Sequence, residues 1–132
     1  MGTLDGLLVV SLEHAVAAPF VSSRLADAGA RVIKIERLEG DFARNYDDVV
    51  HGHSAYFVWL NRGKESIAMD LRQPSELSLL KSILDKSDVL IENFKTGSLQ
   101  KLVLISQRSE KKILNLLLVP SAAMEVKVNG QI

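Results

Sequence analysis

The sequence predicts an α/β fold with a doubly wound, mainly parallel and incomplete sheet, on three observations. Leu7-Leu8-Val9-Val10 and Val32-Ile33-Lys34-Ile35 are short, nearly continuous apolar runs, the pattern of strands covered on both faces. A helix-length segment joins them and stops at Gly29. The order then recurs, because a second helical segment opening at Pro74 leads into Val89-Leu90-Ile91.

Each element has a local cause. Asp5-Gly6 turns the chain into the first strand. The first helix is predicted from about Pro19 to Ala28, since a proline in the first turn lacks only an N–H that would be unpaired there. Val21, Leu25 and Ala28 recur at helical spacing and are expected to form its buried face. Gly29 can take the left-handed stop, and Val32 to Ile35 follows as the second strand. This β-α-β crossover should be right-handed. Leu38 to Ser54 has no clean period and reads as a long, ligand-facing loop. Tyr56 to Leu60 is apolar and aromatic and carries no clear assignment. Asn61-Arg62-Gly63-Lys64 reads as a turn, with Ser66 to Asp70 a short strand after it. In the helix from Pro74, Leu77, Leu80 and Leu84 form the buried stripe, while Glu76, Lys81 and Asp85 face water. No fold is assigned after Leu102, where the pattern changes character.

Composition narrows the function. The 132 residues are 47% hydrophobic, enough for a core, and the formal net charge is zero, which favours neither nucleic acid nor an anionic membrane. There is no cysteine, hence no disulfide framework, thiolate metal site or cysteine nucleophile. The N-terminus lacks a secretory pattern, and the apolar runs are too short to span a bilayer. A cytoplasmic location is the expectation.

No G-x-G-x-x-G follows the first strand, so a common dinucleotide site is disfavoured; Ser11-Leu12-Glu13-His14-Ala15-Val16-Ala17-Ala18-Pro19 stands there instead. Arg37, just past the second strand, can grip a phosphate or simply be a solvated arginine paired with Glu36. His14 reads as a general base or as a loop histidine bonded to backbone. His51 and His53 lack a third ligand at recognisable spacing, so no metal site is expected. Arg62 and Lys64 around Gly63 can receive a phosphate or be exposed turn charges. Asn93-Phe94 follows a buried strand, where doubly wound sheets place ligand contacts; Phe94 can lie on a flat base or cap the core. Lys101 reads as a helix-end cation, for which favouring the dipole is a sufficient role.

Taken in order, Leu4-Asp5-Gly6-Leu7-Leu8-Val9-Val10, Ala18-Pro19-Phe20, Leu25 through Arg37, Gly40-Asp41 with Arg44, Tyr56-Phe57, Asn61 through Ile67 and Asp88 through Phe94 resemble the N-terminal domain of the family III CoA-transferases, a group that includes formyl-CoA transferase and α-methylacyl-CoA racemases. The resemblance covers residues 4 to 102 and implies a Rossmann-like domain whose substrates are acyl-CoA and a carboxylic acid, with no tightly bound cofactor. It implies an aspartyl-CoA thioester, interlocked homodimers of the full-length protein, and no nucleic-acid or membrane partner. Carried onto this sequence, Arg37 resembles a phosphate partner of CoA, and Asn93, Phe94 and Lys101 resemble adenine- and pantetheine-side contacts. Val16 falls where some members place a glutamine near the reacting acyl group. A valine cannot supply that amide's hydrogen bonds, which argues against formyl-CoA transferase itself.

The family's catalytic aspartate lies beyond a stretch resembling N-P-x-L-I-x-x-S-I-x-G-Y-G, which this chain lacks, so no catalytic residue is assigned. Residues 1–102 read as the N-terminal part of the domain and 103–132 as a tail outside its pattern. Codons for the tail, read from each third base, permit N-P-K-L-I-x-x-S-I-S-G-Y from Lys112 onward, and Met124/Glu125 forces Gly. The expectation is a frameshift near Val103 and an inactive fragment of a CoA-transferase. The alternatives are a racemase fragment, a non-catalytic CoA- or nucleotide-binding module, and a pseudogene remnant.

Overall fold

A computed structural model of the chain describes residues 2–92. Their order is β1 (Leu8–Leu12), α1 (Ala17–Asp27), β2 (Arg31–Glu36), a 3-10 turn (Phe42–Asn45), α2 (Ala55–Asn61), β3 (Lys64–Ala68), α3 (Pro74–Lys86) and β4 (Val89–Glu92). The four strands form one sheet in the order β3-β2-β1-β4, and every pairing is parallel. The chain therefore runs outward from β1 to β3, then crosses back to lay β4 on the other side of β1. That reversal makes the sheet doubly wound, as expected from the apolar runs.

Parallel strands need helical crossovers, which cover both faces. On the α3 side, Val10, Leu12, Ile33, Ile35, Met69 and Leu80 form one buried cluster. On the α1 side, Val9, Val32, Val89 and Ile91 pack with Ala18 and Ala30. Gly29 takes φ 105°, and a Cβ there would collide with the Asp5 carboxylate and the Gly2 backbone. The left-handed stop of α1 thus requires glycine on two counts.

Several expectations are corrected in detail. Helix α1 buries Ala18, Pro19, Ser22 and Ser23, while Val21 is exposed. Ala18 packs on the apolar strand residues, while Ser22 and the Pro19 carbonyl meet buried charged groups described below. The segment around Tyr56 is a helix, started by Ser54, whose hydroxyl accepts the Phe57 N–H. The strand expected from Ser66 begins at Lys64 and ends at Ala68. In α3, Leu80 is fully buried and Leu77 and Leu84 are half-buried, but Glu76 turns inward to accept the Asp70 N–H.

Candidate functional site

In a doubly wound sheet the carboxyl ends of the strands form the crest on which ligands settle. Here a cleft of about 300 Å³ opens on that crest. The buried side chains of Leu12, Ile35 and Met69 line it together with the exposed Arg37 and Arg72. They come from the ends of β1 and β2 and from the loop after β3, so three consecutive parallel elements build one concavity.

Arg37 is held in place by its neighbours. Its guanidinium lies 4.2 Å from the Phe42 ring centroid, and Nη2 donates to the Gly40 carbonyl at 3.3 Å. It makes no ion pair among the described residues; the carboxylate beside it in sequence, Glu36, is taken by Arg44, at 2.7 and 2.9 Å. Arg72 is held by Asp70 through two bonds of 2.8 and 3.0 Å. The cleft thus offers one guanidinium without an ion pair among the described residues and one that would exchange a surface carboxylate for an anionic ligand.

Beneath the crest, on the α1–α2 side, lies a layer of buried charge. Lys34 is fully buried, and its ammonium meets Asp41 at 2.6 Å and Glu13 at 3.6 Å. Lys64 reaches the same Glu13 at 2.6 Å and also donates to the Pro19 carbonyl and to Asn61. Burial pushes the Lys64 ammonium below its usual pKa, against the pull of Glu13. Glu13 also accepts the Ser22 hydroxyl at 2.6 Å. Burial alone would raise Glu36, but Arg44, the Ser66 hydroxyl and the Asp41 N–H outweigh it and hold that carboxyl at about 2.

The residues singled out by sequence divide three ways. Arg37 lines the cleft. Val16 is the exposed N-cap of α1, and is not among the residues that line the cleft. Asn93, Phe94 and Lys101 lie outside the described residues, although Asn93 follows the end of β4 directly. Lys64 is not an exposed turn charge and cannot receive a phosphate, because its ammonium is buried with three acceptors. Arg62 is committed to Asp27 at 2.7 Å. His14 sits in the β1–α1 turn with its ring 5.7 Å from Phe42, edge on. Among the described residues no three His, Cys, Asp or Glu side chains group to hold a metal, and no helix is long and apolar enough to cross a membrane. Sequence reasoning passed over Arg72, whose one signal was its place in a loop after a strand.

Comparison with known proteins agrees with this architecture. Residues 4–119 match CoA-transferase family III. The chain is 43% identical over 102 residues to the acetyl-CoA:oxalate CoA-transferase of Acetobacter aceti, covering 76% of this chain and 26% of that protein. It is 38% identical over 106 residues to the succinyl-CoA:mesaconate CoA-transferase of Haloarcula hispanica, covering 76% and 27%. A CAIB/BAIF family protein from Brucella suis superposes with a TM-score of 0.71 at 43% identity, over 76% of this chain and 28% of that one. The chain therefore spans about a quarter of the length of the curated relatives it matches. The match over residues 4–119 and the shared parallel α/β architecture make this chain a member of CoA-transferase family III.

Proposed function

We propose that this chain is the CoA-holding N-terminal part of an acyl-CoA:carboxylate CoA-transferase. The observation that carries the reading is Arg37, which lines the crest cleft and has no ion-pair partner among the described residues. CoA is a polyanion with a flat base. A guanidinium fixed on an aromatic ring loses little freedom on binding a phosphate, and the apolar cleft wall suits the less polar parts of the ligand. Val16 faces the acyl end in this reading, and Asn93, Phe94 and Lys101 complete the base and pantetheine contacts. The relatives quoted above are named as transferases, which supports transfer over racemisation.

In the whole protein the reaction is covalent catalysis by a carboxylate. An aspartate oxygen attacks the thioester carbonyl and CoA leaves as thiolate. The thiolate then returns to the aspartyl carbonyl, giving the enzyme thioester and releasing the acyl group as a carboxylate. In this reading the aspartate lies beyond the N-terminal part, which binds CoA without turnover by itself. Residues 103–132 are out-of-frame translation in this reading. The family match runs on to residue 119, so the boundary at 102 stands on the codon pattern alone. Sequencing the encoding DNA tests it: a single intact frame with no family coding downstream in another frame would refute the shift.

Calorimetry with CoA tests the binding role. The chain should bind saturably, and Arg37→Ala should weaken binding about tenfold or more, the worth of one charge-assisted contact. Absence of binding by the unaltered chain would leave a remnant without a role.

A further inference from the structure

The buried charges of the α1–α2 side have an unexplained target. Ala15, a non-glycine residue, stands at φ 64° in the turn between β1 and α1. Left-handed backbone at a residue with a Cβ costs roughly 1–2 kcal/mol, and it persists only where the surroundings over-determine it. The Ala15 N–H itself is held by a side chain from outside the turn. Asp41 Oδ1 accepts the Ala15 N–H at 2.9 Å and the Ala43 N–H at 2.9 Å, while its Oδ2 meets the Lys34 ammonium at 2.6 Å. The Asp41 N–H in turn donates to Glu36 at 2.9 Å. Two loops are therefore locked to one carboxylate: the turn leading to Val16, and the loop that follows Arg37. Ring contacts repeat the link above it, since Phe42 lies against both His14 and Arg37.

A buried ion pair is weak evidence for stability, because desolvation consumes most of its attraction. Its geometry is specific, however, and here that geometry ends on the Val16 turn and on the loop that follows Arg37. We infer that Asp41, fixed by Lys34, is a positioning residue that holds the Val16 turn in register with the Arg37 loop for the bound acyl-CoA. Asp41 touches no ligand itself; it acts through the Ala15 N–H. This rests on the CoA reading above only for the identity of the ligand.

The test compares the full chain carrying Asp41→Asn with Val9→Ala, which weakens the core below the crest. Asparagine keeps an acceptor oxygen but loses the charge that Lys34 holds in place. Amide exchange of Ala15 and Val16 should accelerate about tenfold or more in Asp41→Asn relative to β2 amides, and not in Val9→Ala. The CoA dissociation constant should rise about tenfold in the first variant and stay unchanged in the second. If Asp41→Asn does not fold, Asp41→Glu keeps the charge and shifts the carboxylate off Ala15, with the same readouts expected. Equal acceleration in both variants, or none in the Asp41 variant, would overturn the inference. So would accelerated exchange with unchanged CoA affinity. Accelerated exchange in a chain whose unaltered form binds no CoA would instead sink the ligand assignment and leave the positioning role standing.

Discussion

On the α3 side of the sheet, Val10, Leu12, Ile33 and Ile35 meet Leu80 and Met69. On the α1–α2 side, the intervening residues toward the crest are Ser11 of β1, Glu13 just past its end, and Lys34 and Glu36 of β2, met by Ser22, Asp41 and Arg44. Adjacent residues of a strand point to opposite faces, so the same two strands carry both patterns. The apolar face has no directional bonds and can repack around a change of shape. The charged face allows few arrangements, because each group must keep its partner. The first accounts for cohesion, and the second for where the loops at the crest are placed.

The largest expected effect comes from breaking the charged face on one side only. Lys34→Met leaves Asp41 buried without its cation and should cost about 3–5 kcal/mol of stability, read from the urea midpoint. Neutralising the partner as well, with Asp41→Asn, should recover much of that loss. A single variant that costs no more than a surface change would erase the distinction between the faces. Leu80→Ala, on the apolar face, should cost about 2–5 kcal/mol through lost burial and a cavity. Its effect should resist changes of salt and pH, in contrast to the charged side.

These contrasts also explain what was legible in the sequence. The apolar runs of β1, β2 and β4 are hydrophobic enough to declare a parallel sheet, and Gly29 and Pro74 mark helix ends by backbone chemistry alone. Lys34, inside such a run, was no signal, since one lysine in a strand reads as an edge or a face. The buried side of α1 was hidden for a related reason: Ser22 bonds the Glu13 carboxylate and the small Ala18 packs on apolar strand residues, whereas a hydrophobic period favours Val21. Helix α2 has seven residues, too few to show a period, and Tyr56, Val58 and Trp59 stay exposed on it. Arg37 could be singled out by position at a strand end. Arg72 could not, because nothing in Asp70-Leu71-Arg72 announces that its loop folds beside the end of β2. Lys64 looked exposed because turn residues usually are, and its carboxylate partner is 51 residues away in sequence.

Acid should separate the faces next. The Glu36 carboxyl is held at about 2 against an ordinary value of 4.5, so the unfolded chain takes up the proton first. The resulting stability is whole above pH 4.5 and is lost as pH falls from there toward 2, about 1–3 kcal/mol in total once solvent screening of the half-exposed Arg44 is allowed for. Glu36→Gln should flatten that limb of the stability profile. An unchanged acid limb in this variant would mean that Arg44 and Ser66 do not hold the carboxylate as described.

The smallest effect concerns the strained turn itself. Glycine at position 15 would remove a left-handed penalty of roughly 1–2 kcal/mol while adding about 0.5–1 kcal/mol of unfolded-state entropy. Ala15→Gly should therefore stabilise the chain by about 0.5 kcal/mol, a rise of a few degrees in Tm for a domain of this size. The sign matters more than the size. If Asp41 is what keeps Ala15 at φ 64°, relieving the strain should also make the turn less dependent on that carboxylate. Asp41→Asn should then accelerate Ala15 and Val16 exchange less in the glycine background than in the alanine one. Full additivity of the two substitutions would show that the carboxylate and the strained backbone do not act as one unit.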